Sequence, residues 1–151
     1  MATEQTERTA LFPGSFDPFT IGHKSLVDRA LPLFDRIVIA VGENSGKNTA
    51  SSTEARTEAI RKLYEHEPKI TVTAYSGLTV EACRREGAGW MLRGVRSLAD
   101  FEYEKNLADI NRRISGIETV LFYTLPEYAP VSSSMVRELA HFGYDVKQFL
   151  P

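Results

Sequence analysis

The chain has 151 residues, 42% of them apolar and 25% charged, which suits one globular domain with a single core. A formal net charge of −2 excludes nucleic-acid binding through bulk positive charge and leaves only local basic patches. No apolar run approaches membrane-spanning length and residues 1–8 are too polar for a signal peptide, so a cytoplasmic location without membrane contact is expected.

Residues 1–8 are expected to form a flexible tail. Thr9, Ala10, Leu11 and Phe12 predict a first strand. A loop rich in Gly and Pro follows: Gly14-Ser15-Phe16-Asp17-Pro18-Phe19-Thr20-Ile21-Gly22-His23. Leu26, Val27, Ala30, Leu31 and Phe34 then recur at helical spacing, which predicts a helix over 22–34. Thr20 can cap that helix, and His23 falls in its first turn. Free N–H groups and the positive end of the helix dipole make such a turn a place for anions, and a histidine there can donate to a phosphate. The apolar run 36–41 predicts a strand buried on both faces. A polar loop, 42–50, carries Lys47. Ser51 or Ser52 can cap a helix over 53–65, and Ser51 with Glu54 fits a capping box.

Residues 70–74 predict a third strand, and a turn at Ser76-Gly77 leads to a helix over 78–86. Cys83, the only cysteine, lies in that helix and reads as a small buried side chain rather than a nucleophile. Residues 90–92 predict strand four. Arg93, Gly94, Val95 and Arg96 then form a loop before a helix over 97–114. Residues 119–123 predict strand five. A loop with Pro126 and Pro130 ends at Ser132-Ser133-Ser134, which opens a helix to about Phe142, and residues 145–150 begin one more turn.

Strands and helices alternate along the chain, which predicts a single α/β domain over 1–151. The architecture expected is a Rossmann-like, doubly wound five-stranded parallel sheet with helices on both faces. Ligands in such sheets bind beyond the carboxyl ends of the strands. Each polar loop of interest follows a strand, so His23, Lys47, Arg93, Arg96 and the serine triplet should meet at one edge. Arg clamps phosphates with paired donors, Lys acts as a point charge, and a serine-rich helix start adds hydroxyls and N–H groups. Together they describe a pocket for a polyphosphate. No Gly-x-Gly-x-x-Gly follows a strand, and residues 42–48 fall one short of a P-loop, with Asn48 in place of Ser or Thr. No nucleophile suited to covalent catalysis faces this edge. Asp17 and Glu104 are candidate metal or hydrogen-bond groups, but no metal-ligand cluster stands out.

Thr20-Ile21-Gly22-His23 resembles the (T/H)-x-G-H signature of nucleotidyltransferases, and the preceding Gly14-Ser15-Phe16-Asp17-Pro18 resembles their adenylyltransferase branch. Two further segments extend the likeness: Leu92-Arg93-Gly94-Val95-Arg96 with Ala99-Asp100-Phe101-Glu102-Tyr103-Glu104, and Val131-Ser132-Ser133-Ser134 with Val136 and Glu138. In this order, over nearly the whole chain, they resemble the bacterial phosphopantetheine adenylyltransferase family. The first segment alone is shared with nicotinamide mononucleotide adenylyltransferases and glycerol phosphate cytidylyltransferases; the second argues against both.

The resemblance implies transfer of the adenylyl group of ATP to 4′-phosphopantetheine, with magnesium, giving dephospho-coenzyme A and pyrophosphate in coenzyme A biosynthesis. It implies that His23, Lys47 and Arg93 act in catalysis. It assigns ATP to Ser15, Phe16, His23, Gly94, Val95, Arg96, Glu104, Tyr128, Ala129, Pro130, Val131, Ser132, Ser133 and Ser134. Phosphopantetheine falls to Ser15, Lys47, Thr79 and Arg93. It also implies a homohexamer inhibited by coenzyme A, and a further helix beyond the position of Pro151. A non-catalytic nucleotide sensor on the same fold is the alternative from another class.

Overall fold

The five predicted strands are present in a computed structural model that describes residues 6–43 and 51–151. They are β1 Thr9–Gly14, β2 Arg36–Gly42, β3 Ile70–Tyr75, β4 Trp90–Val95 and β5 Glu118–Tyr123, all parallel, in the order β3-β2-β1-β4-β5. Five helices connect or follow them: α1 Ile21–Ala30, α2 Thr53–Leu63, α3 Thr79–Glu86, α4 Leu98–Ser115 and α5 Ser133–His141.

Side chains alternate across the sheet, and both faces are buried. Ala10, Phe12, Ile37, Ile39, Val41, Val72 and Leu92 pack under α1 and α2, against Leu26, Val27, Ala30 and Ile60. Leu11, Val38, Ala40 and Met91 face the other way, onto Val80, Ala82 and Cys83 of α3. Each fully buried aliphatic side chain contributes about 1.5–3 kcal/mol. Cys83 is fully buried among them, and burial pushes its thiol up to about 11, so it is an inert core residue.

Several boundaries differ from the sequence expectation. The first helix stops at Ala30 and tightens into a 3-10 turn, Leu31–Leu33, because Pro32 lacks the N–H that would continue it. Helix α2 is capped by Ser52, whose hydroxyl accepts from the Ala55 N–H at 3.1 Å. The Ser51–Glu54 box does not form, because Ser51 Oγ donates instead to Asp17 Oδ1 at 3.2 Å. Strand β1 continues through Pro13 to Gly14. The Pro13 carbonyl faces β4, so its missing N–H falls on a side where no ladder runs: β1 pairs with β4 only at Ala10 and Leu11. Strand β4 extends to Val95, which puts Arg93, Gly94 and Val95 in the strand and leaves only Arg96 beyond it. The end of the expected tail is anchored, since the Arg8 N–H donates to Asp35 at 2.7 Å and the Arg8 carbonyl accepts from Asp35 and Arg36. Among the described residues, no helix is long and apolar enough to cross a membrane.

Candidate active site

The switch point of the sheet lies between β1 and β4. Past Leu11 and Met91 the two strands no longer pair, and a cleft of about 430 Å³ opens at their carboxyl ends. Its walls come from the loop after β1, the end of β4, the start of α4 and the start of α5.

His23 sits in the first turn of α1 as half of an unusual capping box. Thr20 Oγ1 accepts from the His23 N–H at 3.4 Å, and His23 Nδ1 accepts from the Thr20 N–H at 2.9 Å. Histidine takes the place that Glu or Gln fills in the common form. A backbone N–H can only donate, so Nδ1 is unprotonated and the neutral ring carries its proton on Nε2. The ring is held among Phe12, Phe16 and Phe19, with centroids 6.3, 5.1 and 5.3 Å away. Burial in this cage, and then the charges of Arg96 and Arg93, lower its pKa from 6.5 to about 4. His23 is therefore a neutral donor at physiological pH.

Arg93 crosses the gap between the diverging strands. Its Nε and Nη2 donate to Glu104 at 2.8 and 2.6 Å, and Nη1 donates to the Pro13 carbonyl at 3.2 Å. Burial alone would lower the Arg93 pKa, but Glu104 outweighs it and the net direction is up. Glu104 is 6% exposed and is the buried residue of α4. Arg96, further out, contacts Asp100 at 3.5 Å. On the opposite wall Ser132 caps α5 by accepting from the Met135 N–H at 3.1 Å. Ser133 Oγ donates to the Pro18 carbonyl at 2.7 Å, tying α5 to the loop after β1.

Of the residues singled out from the sequence, Ser15, Phe16, His23, Arg93, Gly94, Arg96, Glu104, Val131, Ser132, Ser133 and Ser134 line this cleft. Val95, Thr79, Tyr128, Ala129 and Pro130 lie off its lining, and Thr79 Oγ1 is instead within 3.0 Å of the Tyr75 hydroxyl. Lys47 lies outside the described residues.

Two arginines escaped the sequence reading. Arg137 lines the cleft and donates to the Asp17 carbonyl at 2.6 Å and to Ser134 Oγ at 3.3 Å. Its spacing from Ser133, one helical turn, was the signal available. Arg56, in α2, is 4% exposed and donates to the Ser15 carbonyl. No local pattern marks it.

Among the described residues, no three His, Cys, Asp or Glu side chains gather to hold a metal ion. The cleft carboxylates of Glu104 and Asp100 are engaged by Arg93 and Arg96.

The chain matches the family model described as cytidylyltransferase-like over residues 11–139. A phosphopantetheine adenylyltransferase of Phocaeicola vulgatus is 51% identical over 144 residues, which cover 95% of each chain. The chain belongs to the phosphopantetheine adenylyltransferase family. The corresponding protein of Porphyromonas gingivalis is 53% identical over 142 residues, covering 94% of this chain and 93% of the relative. Membership makes the chain a nucleotidyltransferase, and the cleft its candidate active site. Among solved structures, a bifunctional nicotinamide mononucleotide adenylyltransferase/ADP-ribose pyrophosphatase of Francisella tularensis, complexed with AMP and manganese, superposes with a TM-score of 0.71. That match covers 96% of this chain and 44% of the other at 13% identity, a likeness of fold.

Proposed function

We propose that the protein transfers the adenylyl group of ATP to 4′-phosphopantetheine, giving dephospho-coenzyme A and pyrophosphate. The observation that carries this reading is one cleft that joins a neutral histidine donor, two arginines of the β4–α4 segment and the capped start of α5.

The reaction is a direct in-line displacement. A phosphate oxygen of phosphopantetheine bonds to the α-phosphorus of ATP, the bond to the bridging β-phosphate oxygen breaks, and pyrophosphate leaves with that electron pair. A phosphate monoester is ionised at neutral pH, with its second pKa at about 6, so no general base is needed. The protein works by positioning and by stabilising charge. His23 donates from Nε2 to a non-bridging α-phosphate oxygen. Arg93, held by Glu104, receives the acceptor phosphate together with Lys47. Arg96, Arg137 and the start of α5 hold the leaving group. Ser15 and Phe16 seat the nucleotide, and Thr79 contacts the pantetheine arm. Among the described residues no cluster of carboxylates would hold magnesium, so the ion would be carried by ATP itself, where it would offset phosphate charge.

The same reading includes a cytoplasmic homohexamer with coenzyme A as feedback inhibitor at this cleft. The exposed Leu98, Phe101, Ile110 and Ile114 of α4 support burial of that helix against other copies.

The test is pyrophosphate release with MgATP and each of phosphopantetheine, nicotinamide mononucleotide and glycerol phosphate. Release with phosphopantetheine alone is expected. ATP binding with no release for any acceptor would replace the reading with that of a nucleotide sensor.

A further inference from the structure

Arg56 is a charged side chain with 4% exposure. Burying a guanidinium is unfavourable unless its donors are met, so its partners indicate why it is kept. Its Nη1 donates to the Ser15 carbonyl and, at 3.4 Å, to the Gly42 carbonyl. Nε donates to the Ser51 carbonyl at 3.2 Å and Nη2 to Thr53 Oγ1 at 3.0 Å. These acceptors are all neutral. They come from three places: the loop after β1, the end of β2 and the start of α2.

The bond to Ser15 falls beside a strained residue. Phe16 has a φ of 49°, a left-handed conformation unfavourable for an aromatic residue. Its ring stacks edge-on against His23 at 5.1 Å and lies between Phe12 and Phe19. On the far side of the loop, Ser133 and Arg137 hold the carbonyls of Pro18 and Asp17. Arg56 is thus the anchor from α2 that faces the anchors from α5, with the strained turn between them.

We propose that Arg56 is a positioning residue for nucleotide binding. It holds the Ser15 carbonyl so that Phe16 keeps its left-handed turn, and the Phe16 ring in turn keeps His23 in place. It touches no substrate and acts through the loop. The proposal rests on the reading that this loop seats ATP.

The experiment compares wild type with Arg56→Lys and Arg56→Gln in the full chain. Each is measured for ATP affinity by calorimetry, for KM and kcat in pyrophosphate release, and for melting temperature. Lys retains the charge but not the fork that reaches Ser15, Ser51 and Thr53 from three separate nitrogens. Arg56→Lys should fold, raise the KM for ATP and the calorimetric Kd together by about tenfold, and lower kcat by roughly 10–100-fold, in the range expected from ångström-scale misplacement. Partial unfolding alone would lower the apparent kcat and leave KM unchanged. An unchanged KM and Kd for ATP in Arg56→Lys would overturn the proposal. So would a KM change that tracked melting temperature across the two variants. Wild type that binds no ATP would overturn both the proposal and the reading beneath it; wild-type binding with an indifferent Arg56→Lys would overturn the proposal alone.

Discussion

The state of His23 can be tested without substrate. In the unfolded chain its imidazole titrates near 6.5; in the folded protein burial, then Arg96 and Arg93, bring this to about 4. The difference corresponds to at most roughly 3 kcal/mol, an upper bound because one side of the ring meets the cleft. The unfolded state takes up its proton near pH 6.5 and the folded state only near pH 4. This contribution to stability is therefore complete above about pH 7 and is lost as pH falls from about 6.5 towards 4. Between pH 7 and pH 5 it amounts to about 2 kcal/mol. Proton NMR of the imidazole Cε1–H signals across this range, with the His23 signal identified by its loss in His23→Gln, should give a midpoint near 4. Urea unfolding of wild type should weaken by about 2 kcal/mol more than that of His23→Gln over the same interval. Saturating MgATP should move the midpoint upward, because nearby phosphate charge favours the imidazolium. A midpoint at 6 or above in the free protein would refute the neutral-donor assignment.

In turnover, His23→Gln should lose about 10²–10³-fold in kcat, the usual effect of removing one transition-state donor, with ATP affinity nearly kept. Gly14→Ala would put a Cβ 2.8 Å from the Phe16 ring, which cannot move without pressing on His23. Its kcat should fall by about tenfold or more, as a small displacement of a catalytic group would cause, while circular dichroism stays unchanged. Glu104→Ala leaves Arg93 partly buried and unpaired, and chemical denaturation should show a loss of about 3 kcal/mol. Chelating magnesium with EDTA should abolish pyrophosphate release but leave the melting temperature unaltered, since the described side chains form no metal cage.

Much of the fold was legible because its signals are local. The run from Ile37 to Val41 is buried on both faces, and it reads as a strand for that reason. Thr20 caps its helix as its sequence context suggests, and Ser132 caps the helix that the serine triplet opens. What stayed hidden depends on distant partners. Arg93 reads as a loop residue until Glu104, eleven positions on, is known to cover its charge inside the sheet. Ser51 looks like a cap until Asp17, 34 positions away, takes its hydroxyl. Arg56 has no local mark at all, because its contact with Ser15 spans 41 residues. The cleft itself was legible as an edge where loops converge, but its lining depends on where β1 and β4 part.

The bond from the Thr20 amide to His23 Nδ1 also bears on the return journey of the reaction. A residue that gives up a proton must be recharged before the next cycle, and a forward and a reverse reaction then start from different protein states. In the proposed displacement His23 lends a hydrogen bond and keeps its proton. The protein that releases pyrophosphate is thus the same protonic species that bound ATP, and it is equally ready for pyrophosphate to re-enter. Direction is left to the concentrations of the reactants and to whatever removes pyrophosphate, with no ratchet built into the histidine.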